Sequence, residues 1–366
     1  MMRKIAKRAI SMLLITLSPI SAHAEQQRDK PRLIVITDIG TEPDDIESMV
    51  RVLTYANEID IEGLIAGTSR HLADRVHPEL IEQRVDAYGQ VLGNLRVHDS
   101  RYPDAVLLRA RIHAWRPEFG MSGVGKGKGN AASQAIIAAV DKADSRPVWV
   151  SIWGGAAPLA QALWQVNATR NAREVARFVA KLRVYSISDQ DDAGPWARVN
   201  FPHLFWISSI HGYGNYPLAA WSGISSPLPG ADPEPVSRPW LRRNVQRGPL
   251  GALYPLPMFI MEGDTPSFLN LIDNGLSQPE QPNWGGWGGR WEKPQREPLG
   301  AMAAASPEDD LLAWVLADSN GMPLSRLFCE QHVHPLYMLD QSTKYRVTGI
   351  QVFVPREKSS FLQPLE

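Results

Sequence analysis

The chain has 366 residues, a formal net charge of −1 and one cysteine, Cys329. So small a net charge gives no overall field to attract nucleic acid or an anionic membrane, and a single cysteine excludes intramolecular disulfides. Tryptophan (12), glycine (28) and proline (29) are abundant, which favours a folded domain with many loops. We therefore expect neither nucleic acid nor a membrane as a partner.

The first 24 residues have the features of a secretory signal peptide. Four basic residues precede an apolar stretch that is too short to span a bilayer comfortably. Ala22 and Ala24 then form the small-x-small pattern of a cleavage site. We expect cleavage after Ala24 and a mature protein that is secreted or periplasmic.

Apolar runs and helical patterns alternate along residues 31–300 and predict one α/β domain. Runs typical of strands buried on both faces occupy residues 33–37, 61–67, 147–155, 182–188 and 203–209. Helical spacing of apolar residues begins at Pro43 and recurs over residues 78–92, 131–143 and 159–166. The alternation predicts a mostly parallel central sheet with helices on both faces. In such sheets ligands bind at the carboxyl ends of the strands.

The later part of the chain is less regular. Residues 212–257 are dense in glycine, proline and tryptophan and predict long loops. The segment MFIMEGDTPSFLNLIDNGL then predicts a strand, an acidic turn and a helix, and NWGGWGGRW follows it. Residues 301–366 are weakly organised, and we expect an atypical tail or a truncated second domain there.

Aspartates cluster at two of the predicted turns. Asp38 ends the first strand, and Asp44 and Asp45 fall in the first turn of the next helix, while Glu262 and Asp264 follow the late strand. Either motif alone has an ordinary explanation, because acids stabilise a helix N-terminus and cap it. Carboxylates that converge from two strand ends instead suit a hard cation with oxygen ligands, Ca²⁺ or Mg²⁺.

These motifs resemble a known family. The turn from Asp38 to Asp45 is similar to the N-terminal aspartate cluster of nucleoside hydrolases, calcium-dependent enzymes that cleave N-ribosidic bonds. Its longer IGTEP form, with EGDTPSFL and WGGWGGRW later, resembles the bacterial nucleoside-hydrolase-like family described as cellulose-binding. The resemblance covers roughly residues 31–300 and implies a nucleoside-hydrolase-like fold.

The resemblance also implies roles for individual residues. Asp38, Asp45, Asp264 and the backbone carbonyl of Trp153 would bind Ca²⁺. Asp44 would contact sugar hydroxyls. Asp38 would in addition act as the base that takes a proton from the attacking water, which the metal activates.

The sequence departs from the family in its leaving-group region. Several nucleoside hydrolases place a histidine directly before the late aspartate to protonate the leaving base, and this chain has Gly263 there. The ribose-contacting loop is replaced by SISDQDDAGPW, in which Asp189, Gln190 and Asp192 offer comparable hydrogen bonds. Trp287 could stack on a sugar ring, although a glycine-tryptophan loop that packs over the sheet is the commoner case.

Two functions follow from these features. The first is calcium-dependent hydrolysis of a glycosidic, in particular N-ribosidic, bond. The second is a carbohydrate-binding (cellulose-binding) role on the same scaffold without turnover. The partner is accordingly a small-molecule glycoside or a polysaccharide, and the resemblance implies a homo-oligomer as one possible state.

Overall fold

The structure is a computed structural model that describes residues 29–208, 224–225, 232–273, 278–289 and 291. Within this part of the chain, six strands form one parallel sheet in the order β3-β2-β1-β4-β5-β6. The predicted α/β class and parallel sheet are confirmed. None of the described helices combines the length and the apolar character needed to cross a bilayer.

Each strand predicted before residue 210 is present, with bounds that differ by a few residues, and one further strand over residues 112–114 was not predicted. The strands are β1 (Arg32–Thr37), β2 (Asp60–Ala66), β3 (Ile112–Ala114), β4 (Val148–Ile152), β5 (Leu182–Ser186) and β6 (Phe205–Ser208). The helices of this region are α1 (Pro43–Thr54), α2 (Pro78–His98), α3 (Ala105–Arg109), α4 (Ala131–Asp141), α5 (Ala157–Thr169), α6 (Ala172–Ala180) and α7 (Ala193–Asn200). Three further short helices follow: α8 (Arg238–Asn244), α9 (Gly248–Gly251) and α10 (Pro266–Leu269).

The apolar run of β1 is explained by burial on both faces of the sheet. Leu33 and Val35 face a core that also holds side chains of α1 and α2. Ile34 and Ile36 face a second core built with α4 and α5. Because neither face of β1 meets water, its residues are continuously apolar rather than alternating.

The strand order creates a switch point beside β1. The chain first builds outward through β2 and β3, and then crosses to the other side of β1 to form β4. The carboxyl ends of β1 and β4 therefore flank a crevice, the usual ligand position in doubly wound sheets. Asp38 directly follows β1, and Trp153 directly follows β4.

The structure corrects the prediction for the late segment. Within residues 232–261, no strand leads into the second acidic motif: Met261 forms an isolated bridge, and Ile224 donates a backbone hydrogen bond to its carbonyl at 3.1 Å. Two prolines, Pro255 and Pro257, lie close before it, and Glu262 has φ +55°, so extended pairing cannot continue. The helix that follows is a single turn, and α8 and α9 lie within the predicted loops. The proposed signal peptide and tail lie outside the described residues.

A buried ion pair fixes the opposite end of the sheet. Arg32, at the start of β1, donates Nε to Glu62 Oε1 at 2.8 Å and Nη2 to the carbonyl of Ala139 at 2.6 Å. Burial raises the pKa of Glu62, but hydrogen bonds from Lys142 and Arg32 outweigh it and lower the pKa below its ordinary value. This pair belongs to the scaffold, because it lies at the amino end of the strands.

Candidate functional site

Asp38 occupies the carboxyl end of β1 and is buried. Ser69, which follows β2, donates its hydroxyl to Asp38 Oδ2. Burial raises the pKa of Asp38, while the Ser69 hydrogen bond and the charge of nearby His71 lower it in part. One carboxylate oxygen is thus held in a fixed position by a neighbouring strand end.

Helix α1 brings Asp44 and Asp45 to the same place. The glycine-proline turn between β1 and α1 points the helix N-terminus at the crevice, with Pro43 as the first helical residue. Both aspartates are buried, and Thr37 donates its hydroxyl to Asp45 Oδ1. The dipole of α1 favours negative charge at this end.

Asp264 completes a cluster of three carboxylates. Oxygen atoms of Asp44, Asp45 and Asp264 all lie within 4.8 Å of one another. Asp264 is 3% exposed, and none of the described residues donates a hydrogen bond to its buried Oδ2. A buried polar atom without a partner costs free energy, so a cation bound to this oxygen would stabilise the fold.

The cluster places four acidic side chains close together and away from water. Burial, then the charges of Asp38 and Asp44, raise the pKa of Asp45 well above its ordinary value. Burial, then Asp45, Asp44 and Asp38, do the same for the pKa of Asp264. Among the described residues, no lysine or arginine forms an ion pair with any of these four aspartates. The donor set is entirely oxygen and suits a hard divalent cation.

The double glycine after β4 lets the chain approach Asp38. A Cβ on Gly154 would lie 2.6 Å from Asp38 Oδ1, so only glycine fits without displacing the carboxylate. Trp153 is buried, and its indole N–H donates to Ser151 at 2.7 Å and to Ser267 at 3.0 Å. Gln190 donates its side-chain amide to the Trp153 carbonyl, which retains a second lone pair for another partner.

In the loop after β5, every residue that we predicted to bind substrate makes a contact within the protein. Asp189 pairs with Arg198, Gln190 with the Trp153 carbonyl, and Asp192 with the backbone N–H of Met121 at 2.7 Å. Only Gln190 touches a group of the candidate metal site directly. Substrate binding by these three residues stays a prediction.

A partly buried ion pair between Arg51 and Glu262, the clamp, joins α1 to the turn that carries Asp264. Arg51 donates Nε and Nη2 to the two Glu262 oxygens at 2.7 and 2.6 Å. Tyr254 and Thr265 donate their hydroxyls to the same carboxylate at 2.8 and 2.9 Å, and Glu47 accepts the Glu262 backbone N–H at 2.7 Å. The helix that supplies Asp44 and Asp45 therefore also holds the turn that supplies Asp264.

The sequence analysis did not predict Ser69, Glu47 or Arg51 as parts of the site, although two signals pointed to them. Ser69 follows β2 as Asp38 follows β1, and neighbouring parallel strand ends meet at one edge. Glu47 and Arg51 lie three and seven residues after Asp44 and so share a helix face with it. The Glu262 partner of Arg51, by contrast, is 211 residues away and carried no local signal.

Comparison with known proteins agrees with this fold. The family model for the cellulose-binding Sde182, nucleoside hydrolase-like domain matches residues 32–291. A solved structure of a nucleoside hydrolase-related hypothetical protein from Saccharophagus degradans, associated with carbohydrate metabolism, is 34% identical with a TM-score of 0.65. The match covers 87% of this chain and 74% of that chain. No curated protein matches the chain. The protein therefore belongs to the cellulose-binding Sde182 family with a nucleoside hydrolase-like domain.

Proposed function

We propose that the protein is an exported, calcium-dependent hydrolase of glycosidic bonds, with N-ribosides as the substrate class. The observation that carries the proposal is the convergence of Asp44, Asp45 and Asp264 within 4.8 Å, next to Asp38 at the switch point of the sheet. Buried carboxylates at such distances repel one another unless they take up protons or a cation lies between them. The unpartnered oxygen of Asp264 supports the same conclusion.

The residues present fit a calcium ion. The structure groups Asp44, Asp45 and Asp264 most closely, whereas the family resemblance implied Asp38, Asp45, Asp264 and the Trp153 carbonyl. Both sets are composed of oxygen atoms, and calcium takes six to eight of them, so the sets are compatible. A calcium ion held there would offset the negative charge and lower the pKa of a water molecule.

The chain itself supplies the base and the sugar contacts. Ser69 fixes Asp38 Oδ2, and Gly154 leaves room beside Oδ1, which takes the proton of the attacking water. The water oxygen bonds to the anomeric carbon as the bond to the leaving group breaks. Asp44 accepts hydrogen bonds from sugar hydroxyls, and the surrounding carboxylates stabilise the oxocarbenium-like transition state. Gly263 offers no proton, so the leaving group must be a good one or be protonated from elsewhere.

Carbohydrate binding without turnover is the second candidate function. Gly263 replaces the leaving-group acid, and the loop acids Asp189 and Asp192 are engaged within the protein. The similarity to a family described as cellulose-binding favours a carbohydrate partner in either case.

Hydrolysis of p-nitrophenyl β-ribofuranoside tests the two functions. Its leaving group needs little protonation, so the assay does not depend on the missing acid. We expect p-nitrophenol release with Ca²⁺ that stops on addition of a chelator, and a loss of about 10²–10⁴-fold in kcat for Asp38→Asn. If a calcium-loaded preparation releases nothing, hydrolysis is refuted and binding alone remains.

Calcium should stabilise the protein more strongly at high pH. Burial, with the charges of Glu42 and Asp38, raises the pKa of Asp44 to about 7, from 3.8. Between these values the folded state keeps a proton that the unfolded state has lost, so the metal-free protein loses stability as pH rises. We expect the calcium-induced rise in Tm to be roughly twice as large at pH 8 as at pH 5. An equal or smaller rise at pH 8 would contradict a charged cluster as the binding site.

A further inference from the structure

We propose that a basic and apolar surface of the protein binds the anionic face of a lipid bilayer. This surface, the α8 surface, consists of Arg238, Arg242, Arg243 and Arg247 together with Met258 and Phe259. None of these residues belongs to the aspartate cluster or to the clamp, so the inference depends neither on hydrolysis nor on calcium.

Positive charge is concentrated in one segment of the chain. Residues 235–261 contain four arginines and no other charged residue, whereas the whole chain has a net charge of −1. All four arginines are exposed. The net charge led us to expect no membrane as a partner, but attraction between exposed charges extends only about 8 Å at physiological salt. The charges nearest to a surface therefore decide whether the protein is attracted to it.

The arginines face away from the core. Leu241 is the buried residue of α8, and Arg238 and Arg242, four residues apart, share the exposed face of this helix. Among the described residues, none forms an ion pair or a hydrogen bond with the side chain of Arg242 or Arg243, and Arg247 donates Nε to the Arg243 carbonyl. Guanidinium groups without an acidic partner are available to phosphate groups, which they bind with paired hydrogen bonds.

Two large apolar side chains are exposed beside the arginines. Met258 is 64% exposed and Phe259 is 76% exposed. Arg238 donates Nη2 to the Pro257 carbonyl at 2.9 Å, so the apolar pair begins directly next to α8. Proteins that bind a bilayer surface combine the same two elements: apolar side chains enter the boundary of the acyl chains, and cations contact the anionic head groups.

Internal contacts fix the arginines relative to the apolar pair. Gln246 donates Nε2 to the Tyr254 carbonyl at 2.7 Å, which ties the end of α8 to the segment that leads to Met258. Leu250, between these two residues, is buried in the core. Because the α8 surface is already formed, its binding to a bilayer requires little further ordering of the chain.

The chemistry of the α8 surface favours a lipid over a nucleic acid. The two side-chain amides of this segment are engaged within the protein, because Asn244 donates to the Trp240 carbonyl at 2.9 Å and Gln246 donates to Tyr254. They are therefore not free to donate to base edges. Met258 offers no flat face on which a base could stack, but its side chain suits the acyl boundary of a bilayer. An anionic phospholipid matches both the cations and the apolar pair.

Sedimentation of the mature chain, without the proposed signal peptide, with lipid vesicles tests the proposal. The probe is phosphatidylcholine vesicles in which roughly one lipid in three is phosphatidylglycerol. We expect saturable binding that weakens at about 0.5 M salt, and binding to pure phosphatidylcholine that is at least about tenfold weaker. Arg242→Gln combined with Arg243→Gln should weaken binding at least about tenfold, because each arginine near an anionic surface contributes roughly a factor of five. Phe259→Ser should weaken it at least about threefold.

Matched controls come from other exposed residues of the chain. Arg173 and Arg177 of α6 are exposed, and Phe178 of the same helix packs into the core on the other face of the sheet from Leu241. Arg173→Gln combined with Arg177→Gln changes the net charge equally and should bind as the wild type does. Val106→Ser, at a residue that is 77% exposed, is the control for Phe259→Ser. All these substitutions change exposed side chains, so the variants should fold.

Three results would overturn the proposal: equal binding to the two kinds of vesicle, equal binding by the two double variants, or unchanged binding in Phe259→Ser. Tighter binding of a single-stranded DNA oligonucleotide than of the anionic vesicles would overturn the assignment to lipid. Riboside hydrolysis, measured on the same preparations, separates this proposal from the proposed function, since either can fail while the other holds.

Discussion

Asp264→Asn should abolish calcium binding and make the metal-free protein more stable. The substitution removes one of three carboxylates that lie within 4.8 Å, so calcium loses a ligand and its dissociation constant should rise by at least about a hundredfold. In the absence of metal the same change relieves repulsion between buried acids, and we expect a gain of about 1–3 kcal/mol in the free energy of unfolding at pH 8. Riboside hydrolysis should disappear with the metal.

The opposite signs of these two effects identify a metal site. Calcium affinity is measured by calorimetry, and stability by urea unfolding with and without chelator. Asp191→Asn is the matched control: Asp191 is also buried, with a pKa raised by burial to about 7, but its partners are the backbone N–H groups of Ala157 and Ala193. It should leave calcium affinity within about twofold. A destabilised, calcium-free Asp264→Asn would indicate a structural role for this aspartate instead.

Arg51→Met should weaken calcium binding although Arg51 touches no candidate ligand. Glu262 is completely buried with φ +55°, and Arg51 supplies its only ion pair among the described residues. Without the arginine, the turn that carries Asp264 loses its ion pair with α1 and keeps hydrogen bonds to Glu47 and Ser48, so the spacing of the three carboxylates is less firmly fixed. We expect calcium affinity to fall by at least about tenfold in the folded protein.

The loss of stability in Arg51→Met does not by itself show whether Arg51 positions Asp264 or only stabilises the fold. Breaking a buried pair costs about 3–5 kcal/mol, and because Arg51 is 25% exposed we expect about 2–4 kcal/mol. Arg32→Met is the matched control, since it breaks the buried pair with Glu62 at the far end of the sheet. The calcium titrations are made at a temperature below the Tm of both variants. If the two variants bind calcium equally well, the clamp does not position Asp264.

These two predictions also separate the proposed functions at the aspartate cluster. A calcium site that depends on Asp264 and on the clamp, together with riboside hydrolysis, supports an enzyme. The same site without turnover supports a binding protein in which calcium is structural.

Sequence patterns determined the framework of this protein. The continuous apolar runs of β1 and β4 specified strands buried on both faces, and Pro43 with the following helical spacing specified α1. Since parallel strands present their carboxyl ends at one edge, Asp38, Asp44 and Asp45 could be placed together from local order alone. These features depend on neighbouring residues, which a linear pattern records.

Tertiary structure decided how the distant segments meet. Asp264 joins the cluster through a turn rather than the predicted strand end, and that turn is held by Arg51, 211 residues from Glu262. The loop acid Asp189 pairs with Arg198, and packing leaves Trp284 rather than Trp287 exposed. Periodicity describes which face of an element is buried, but not which partner covers it. The partner follows from strand order and from the packing of loops onto the finished sheet.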